Sequence, residues 1–436
     1  MPASPSANAL ARTIRETAVF DRILTRAERL FDSSLTAGDR YPEVWIRDFA
    51  TFIPTACRLG KAPAVRDALQ VFFEMQQPDG ELFDGYAPAS SYSDAYNLKN
   101  VPGHPDLRAH KNSVETDQES SLVLGTFNYI QATRHHSFLS EQIAGQTVLQ
   151  RLEAALDWVK QNRWSARHGL VWNATTLDWG DGQASTEWQE LSEGVPRNPE
   201  NLPLLTELGA HSHPALCIYT NALFSLAIDA LARLHDIKGD ATRSAWWRQQ
   251  HRELNAAIRE HLWDSARQKF HPHVYLEKGS PFPADFDEES IYYHGGTAVA
   301  MQAGLLSTEE AHQAFHTMCD NVRQAGARTV GLTVWPLYHV PALRNALFER
   351  PFVYQNGGDW PWFGARVPLG LLRCGCPAEA FEALLPIAQM IDDAGEFNEW
   401  YKPNGAPAGS AGFRGAAGVT HQAITELRQW ADSVQE

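Results

Sequence analysis

Two short stretches far apart in the chain contain the residue types that cleavage of a glycosidic bond requires. One is Leu177-Asp178-Trp179-Gly180-Asp181-Gly182-Gln183, and the other runs Glu396-Phe397-Asn398-Glu399-Trp400-Tyr401-Lys402-Pro403-Asn404-Gly405. That chemistry needs one carboxylic acid to protonate the leaving oxygen and a second carboxylate to activate water or attack carbon. Asp181, flanked by two glycines just past Trp179, can sit desolvated against the indole, which would raise its pKa toward the value an acid needs. Asp178 is a rival in the same loop, and Asp beside Gly is also ordinary turn chemistry. Glu399 is followed at once by two large aromatics, a context that a plain surface glutamate does not need. A third stretch, Tyr354-Gln355-Asn356-Gly357-Gly358-Asp359-Trp360-Pro361-Trp362, is built alike. Indole and phenol faces stack on the C–H faces of a pyranose, amides and carboxylates bond its hydroxyls, and glycine lets backbone come close. Gln355, Gly358, Asp359, Trp360, Trp400 and Tyr401 are therefore candidate sugar contacts. Asp48, in Trp45-Ile46-Arg47-Asp48, is a further acceptor for hydroxyls, although an adjacent Arg-Asp pair also serves to orient a loop.

These loops need elements to hold them, and helical periodicity keeps returning along the chain. Amphipathic stretches fall at about 11–31, 49–59, 62–76, 119–134, 140–162, 220–235, 242–262, 297–303, 308–322, 341–348, 362–373, 377–391 and 420–431. Strand signals are few, near 270–275 and 328–335, with no βαβ rhythm. Gly, Pro, Trp and acidic residues gather in the loops between helix pairs, at 41–48, 78–86, 172–183, 295–296, 354–362 and 397–415. Two helices per loop, repeated five or six times, predict an all-α fold in which α-hairpins close into an (α/α)6 toroid with the site at the loop-bearing mouth. No repeat of fixed period supports an open solenoid. Residues 1–436 are read as one domain, with about the first eight disordered.

Bulk properties narrow the partners. The chain of 436 residues has 44% hydrophobic and 20% charged residues, as a globular protein with a large core should. A formal charge of −15 without a basic run argues against nucleic acid or an anionic membrane. No window of 18 apolar residues suggests a membrane span. Fourteen tryptophans exceed what packing alone calls for, so some should line a pocket. The five cysteines, Cys57, Cys217, Cys319, Cys374 and Cys376, are odd in number and scattered, and read as buried free thiols of a cytoplasmic protein. His211/His213 and His271/His273 are i, i+2 pairs lacking a third ligand, so neither a metal nor a cofactor is expected. His294 and His421 are plausible pocket residues. No phosphate-cradling glycine motif follows a strand. The expected partner is a small carbohydrate, and the oligomeric state stays open.

Five motifs in register, Trp45-Ile46-Arg47-Asp48, Trp179-Gly180-Asp181, Tyr219-Thr220-Asn221-Ala222-Leu223-Phe224, Asn356-Gly357-Gly358-Asp359-Trp360-Pro361 and Glu399-Trp400-Tyr401 ahead of Gly409-Ser410-Ala411, resemble a known set. They look like the (α/α)6-barrel glycosidases that include amylo-α-1,6-glucosidases, neutral/alkaline invertases and the glucosidase I-like family with its glucosylglycerate and mannosylglycerate hydrolases. The resemblance spans about 41–422. It implies an inverting glycoside hydrolase acting on a small α-glucoside-like substrate, with Asp181 as general acid and Glu399 as general base. It also implies a sugar subsite at Asp359 and Trp360, an opposing wall of Trp45, Arg47 and Asp48, and contacts from Trp179 and Asn221. Thr220 departs from the pattern, standing where relatives usually carry an acidic residue, which leaves the substrate open. Two rivals remain on the same toroid: a sugar epimerase or unsaturated-uronide hydrolase, the epimerase using His294 and His421, and a non-catalytic sugar-binding protein.

Overall fold

A computed structural model describes residues 7–32, 34–91, 98–184, 206–338 and 351–434. After α1 (Ala7–Glu16), helices alternate between outer and inner positions. The outer ones are α2 (Ala18–Leu30), α4 (Ala62–Met75), α6 (Val148–Asn162), α8 (Ala241–Leu262), α10 (Thr308–Ala325) and α13 (Pro377–Ala394). The inner ones are α3 (Ile46–Ala56), α5 (Gln118–Thr133), α7 (Ile218–Lys238), α9 (His294–Gln302), the broken pair α11 (Pro361–Gly364) and α12 (Arg366–Arg373), and α14 (Arg414–Ser433). Inner helices touch in a cycle, α3 on α5, α5 on α7, α7 on α9, α9 on α12, α12 on α14, and α14 back on α3. The fold is thus a closed (α/α)6 toroid. Because each inner helix is reached through an outer one, all six run the same way and open toward one mouth.

Local sequence explains the ends. Capping boxes start α6 at Thr147 with Gln150, and α10 at Ser307 with Glu310, and left-handed glycines Gly239, Gly326 and Gly395 end α7, α10 and α13. Inner helices are buried nearly all round, as in α9, where every residue from His294 to Met301 is buried. For that reason α5, α7 and α9 carry little amphipathic signal, and periodicity places the starts of the inner helices late. The chain around Gly415 and Gly418, which reads as a glycine-rich loop, forms the first turns of α14 instead. A Cβ at Gly418 would stand 2.2 Å from Cβ of Phe52, so the glycine lets α14 close against α3.

Other expectations shift as well. The stretch 11–31 breaks at Thr17 into α1 and α2, and 140–162 begins with a 3-10 turn and a tiny hairpin before α6. The stretch 341–348 lies outside the described residues. Strand signals at 270–275 and 328–335 survive only as two-residue pieces at Lys269–Phe270, Val274–Tyr275 and Val334–Trp335. A four-stranded antiparallel sheet at the mouth was not expected: β1 (Val44–Trp45), β2 (Gly85–Pro88), β3 (Lys99–Val101) and β4 (His104–His110), in the order β1-β2-β4-β3. Trp45 pairs with Gly85, where a Cβ would lie 2.6 Å from the indole. The cysteines are free thiols, but only Cys217 and Cys376 are buried, against the expectation for all five.

Candidate active site

A cavity of about 300 Å³ opens at the mouth, and Arg47, Asp48, Glu115, Asp117, Trp179, Asp181 and Glu399 all reach it. Arg47, in the first turn of α3, gathers three carboxylates. Its Nε donates to Asp117 Oδ2 at 2.6 Å and its Nη1 to Asp181 Oδ1 at 2.7 Å. Its Nη2 lies 2.5 Å from Glu115 Oε1, close but too poorly aligned for a hydrogen bond. Tyr354 Oη and Gln355 Nε2 donate to the other oxygen of Asp181, at 2.7 and 3.1 Å. Asn112 Nδ2 holds the main-chain carbonyl of Asp181 at 2.7 Å.

The electrostatics reverse one expectation. Burial pushes the Asp181 carboxyl up, but the Arg47 guanidinium, Glu115, Tyr354 and Gln355 outweigh it and hold the group below its ordinary value. Desolvation by Trp179 is not what decides its proton. That indole stacks on Phe363 at 4.1 Å, nearly parallel, and meets the edges of Trp360 and Trp362, so it is a wall of the cavity fixed by other rings. Glu115 behaves oppositely: burial, with Asp117, Asp181 and Asp84 nearby, drives its pKa well above the usual range despite Arg47.

Across the cavity, Glu399 stands on the bulged hairpin of Asn398–Tyr401 with Pro407–Ala411. Its Oε1 accepts from Tyr41 Oη at 2.9 Å and its Oε2 from the Ser410 N–H at 2.8 Å. Burial raises its pKa to about 7, partly offset by those donors, and Asp181 adds repulsion. Gly409 next to it has φ +70°, and a Cβ there would fall 2.4 Å from Glu399 Oε2. Asp48 lines the same cavity, pushed up to about 8 by burial against the pull of Arg47, with one oxygen buried and unpartnered.

Of the residues singled out from the sequence, Trp45, Arg47, Asp48, Trp179, Asp181, Trp360 and Glu399 line this one cavity. Gln355 stands behind Asp181 as its donor. The others sit in the walls. Asn221 spends its amide on the main chain of Val171 and Cys217, tying α7 to a neighbouring strand. Asp359 is buried against the Thr329 N–H and hydroxyl, and its backbone pairs with Tyr401. Tyr401 turns its hydroxyl to Glu396 O, and Gly358 packs against Tyr354, Trp360 and Trp400. Asp178 caps the start of α9, taking the Gly296 N–H at 2.8 and 3.1 Å, away from the cavity. His294 bonds Asn321 and Val330 O, and His421 faces Thr55, so neither histidine lines it.

Sequence reasoning missed Tyr41, Asp84, Glu115, Asp117, Gln118 and Phe413 as cavity residues, and named Tyr354 and Trp362 only as the ends of their loop. The run Glu115-Thr116-Asp117-Gln118-Glu119, acidic just where a helix starts, was the available signal. Among the described residues, no group of three or more His, Cys, Asp or Glu is placed to hold a metal ion.

Comparison with known proteins agrees with this architecture. Among solved structures, the chain is similar to GH63 mannosylglycerate hydrolase from Thermus thermophilus in complex with Tris and D-glycerate. That match has 18% identity and a TM-score of 0.62, and covers 92% of this chain and 99% of the other. The same enzyme in complex with glucose matches at 17% identity and a TM-score of 0.63, over 93% and 99% of the two chains. No curated protein matches the chain in sequence. The family model described as mannosylglycerate hydrolase MGH1-like glycoside hydrolase domain matches residues 41–414. A match over most of the chain, around a cavity with opposed carboxyls, makes this protein a glycosidase of the mannosylglycerate hydrolase MGH1-like family.

Proposed function

We propose that the protein hydrolyses a small α-glycoside with inversion, Asp181 acting as general acid and Glu399 as general base. The observation that carries this is the meeting of these two carboxyls, from distant parts of the chain, on one cavity walled by Trp45, Trp179, Trp360 and Trp362. Asp181 would give a proton to the glycosidic oxygen as the bond to the anomeric carbon breaks. Glu399 would take a proton from the water that attacks the opposite face, which yields the inverted anomer. Asp48 lines the same cavity, and its carboxyl suits a sugar hydroxyl. The related structures hold D-glycerate or glucose, so glucosylglycerate and mannosylglycerate are the first substrates to offer.

Proton NMR of the anomeric signals during turnover of glucosylglycerate, mannosylglycerate, isomaltose and sucrose tests the reading. We expect the β-anomer to appear first from an α-linked substrate. First appearance of the α-anomer, or no turnover of any of the four, would overturn it. Asp181→Asn and Glu399→Gln should each lower kcat by roughly 10²–10⁴ with an unchanged circular dichroism spectrum.

A further inference from the structure

One guanidinium faces three carboxyls, and the donors are not shared evenly among them. Asp117 receives Arg47 Nε and the Tyr219 hydroxyl, at 2.6 and 2.8 Å. Asp181 receives Arg47 Nη1, the Tyr354 hydroxyl and the Gln355 amide. Glu115 has only the misaligned Nη2 and a long 3.5 Å contact from Gln118 Nε2 to its second oxygen. Hydrogen-bond donors favour the ionised form of the carboxyl they serve, and three carboxylates gathered on one guanidinium do not all ionise against its single positive charge. The proton therefore stays on the least served member, Glu115, which shares the Arg47 guanidinium with Asp181, one carboxyl on Nη2 and the other on Nη1.

This raises a difficulty for the proposed acid, since a carboxylate held ionised has no proton to give. We propose that Glu115 stores the proton that Asp181 delivers to the glycosidic oxygen, passing it to that neighbouring carboxylate on the same guanidinium when substrate enters. The inference rests on the reading of Asp181 as acid. About a third of the Asp181 side chain is open to the cavity, 34% against 10% for Glu115. A sugar that displaces water from that face desolvates the carboxylate and favours its protonated form. Glu115 then loses its proton to Asp181 and remains a carboxylate beside Arg47. Asp181 passes the proton to the leaving oxygen as the C–O bond breaks. Glu399 gains one from the attacking water as the new C–O bond forms, and bulk water resets both ends.

The charged and titratable groups facing Glu115 are Arg47 from α3, Asp117 on its own segment, Asp181 from the Trp179 loop and Asp84 ahead of β2. Behind these stand His110, 3.3 Å from Asp84, Tyr219 on Asp117 and Tyr354 on Asp181. Glu115 touches no reacting atom in this scheme and is a positioning residue that sets the state of the acid.

The test compares the parent enzyme with Glu115→Gln and Glu115→Asp on two kinds of substrate. Glycerate or sugar aglycones need protonation to leave, whereas fluoride in α-glucosyl and α-mannosyl fluoride does not. Glu115→Gln should lower kcat on the glycoside about tenfold or more at pH 8 and move the alkaline limb of the kcat profile at least about one pH unit lower. KM and fluoride hydrolysis should stay within about twofold of the parent. Glu115→Asp, which keeps a titratable proton, should recover part of the glycoside rate, and it carries the test if the Gln variant fails to fold. Equal losses on glycoside and fluoride, or an unmoved alkaline limb, would overturn the role of Glu115 alone. A parent enzyme inert toward every glycoside and both fluorides would overturn the proposed function beneath it.

Discussion

Glu399 works as a base only when ionised, and its environment sets the pH at which that happens. With its pKa raised to about 7 by burial, the carboxylate fraction falls below that pH. The acid limb of kcat/KM should therefore lie near pH 7 and fall tenfold per unit below it. The same raised value costs stability at high pH: the neutral carboxyl suits the folded state, so stability present below the unfolded pKa near 4.3 is lost as pH rises through about 7. Glu399→Gln, neutral throughout, should therefore gain stability over the parent between pH 5 and pH 8, by up to about 3 kcal/mol. Urea denaturation at both pH values measures this, and no widening of the gap would show that Glu399 is not neutralised by burial. The sequence singled out Asp181 and Glu399 as carboxylates set among Gly and Trp, and both line the cavity, although Asp178 and Asp359 in the same setting hold the walls instead. The proton state of Asp181 was not legible in sequence, since it depends on Arg47, Tyr354 and Gln355, which only the folded ring brings to it.

At the scale of elements, the ring depends on close passages between inner helices. Gly418 lets α14 meet α3, and Gly370 lets α12 meet α9, where a Cβ would lie 2.5 Å from Met301 Cβ. Gly418→Ala should destabilise the fold by about 1–3 kcal/mol, the range expected for overpacking a filled core. Helix propensity works the other way, favouring Ala by about 1 kcal/mol, so the net loss reads the strain of closure. Thermal unfolding checks it, and a variant as stable as the parent would mean that the two helices separate freely. Outer helices were legible because one face is wet and the other dry. Inner helices were found late, and in α5, α7 and α9 burial on nearly every side erases that contrast: α9 has no polar face to betray its period. The mouth sheet escaped notice because its strands are short and carry turn residues, with Gly85 paired to Trp45 and Pro88 to Leu107.

For the whole molecule, closure and function are one requirement. Helix α3 supplies Arg47 and Asp48, the chain just before α5 supplies Glu115 and Asp117, and the hairpin ahead of α14 supplies Glu399, so the cavity exists only once the last inner helix has met the first. The overall architecture could be read from the sequence because a two-helix rhythm with loaded loops has few compact solutions. Residues such as Asn221, Asp359 and Tyr401 show the converse. Their motifs are conspicuous, yet their polar groups hold the walls rather than face the cavity. The wall of Trp45, Trp179, Trp360 and Trp362 also makes the protein its own optical sensor. Indole emission depends on the wetness of its surroundings, so a sugar that expels water from the cavity should blue-shift and strengthen the intrinsic fluorescence. Titrating Asp181→Asn with glucosylglycerate would then report occupancy without turnover, and a flat signal together with a calorimetrically measured binding event would place the ligand away from these four rings.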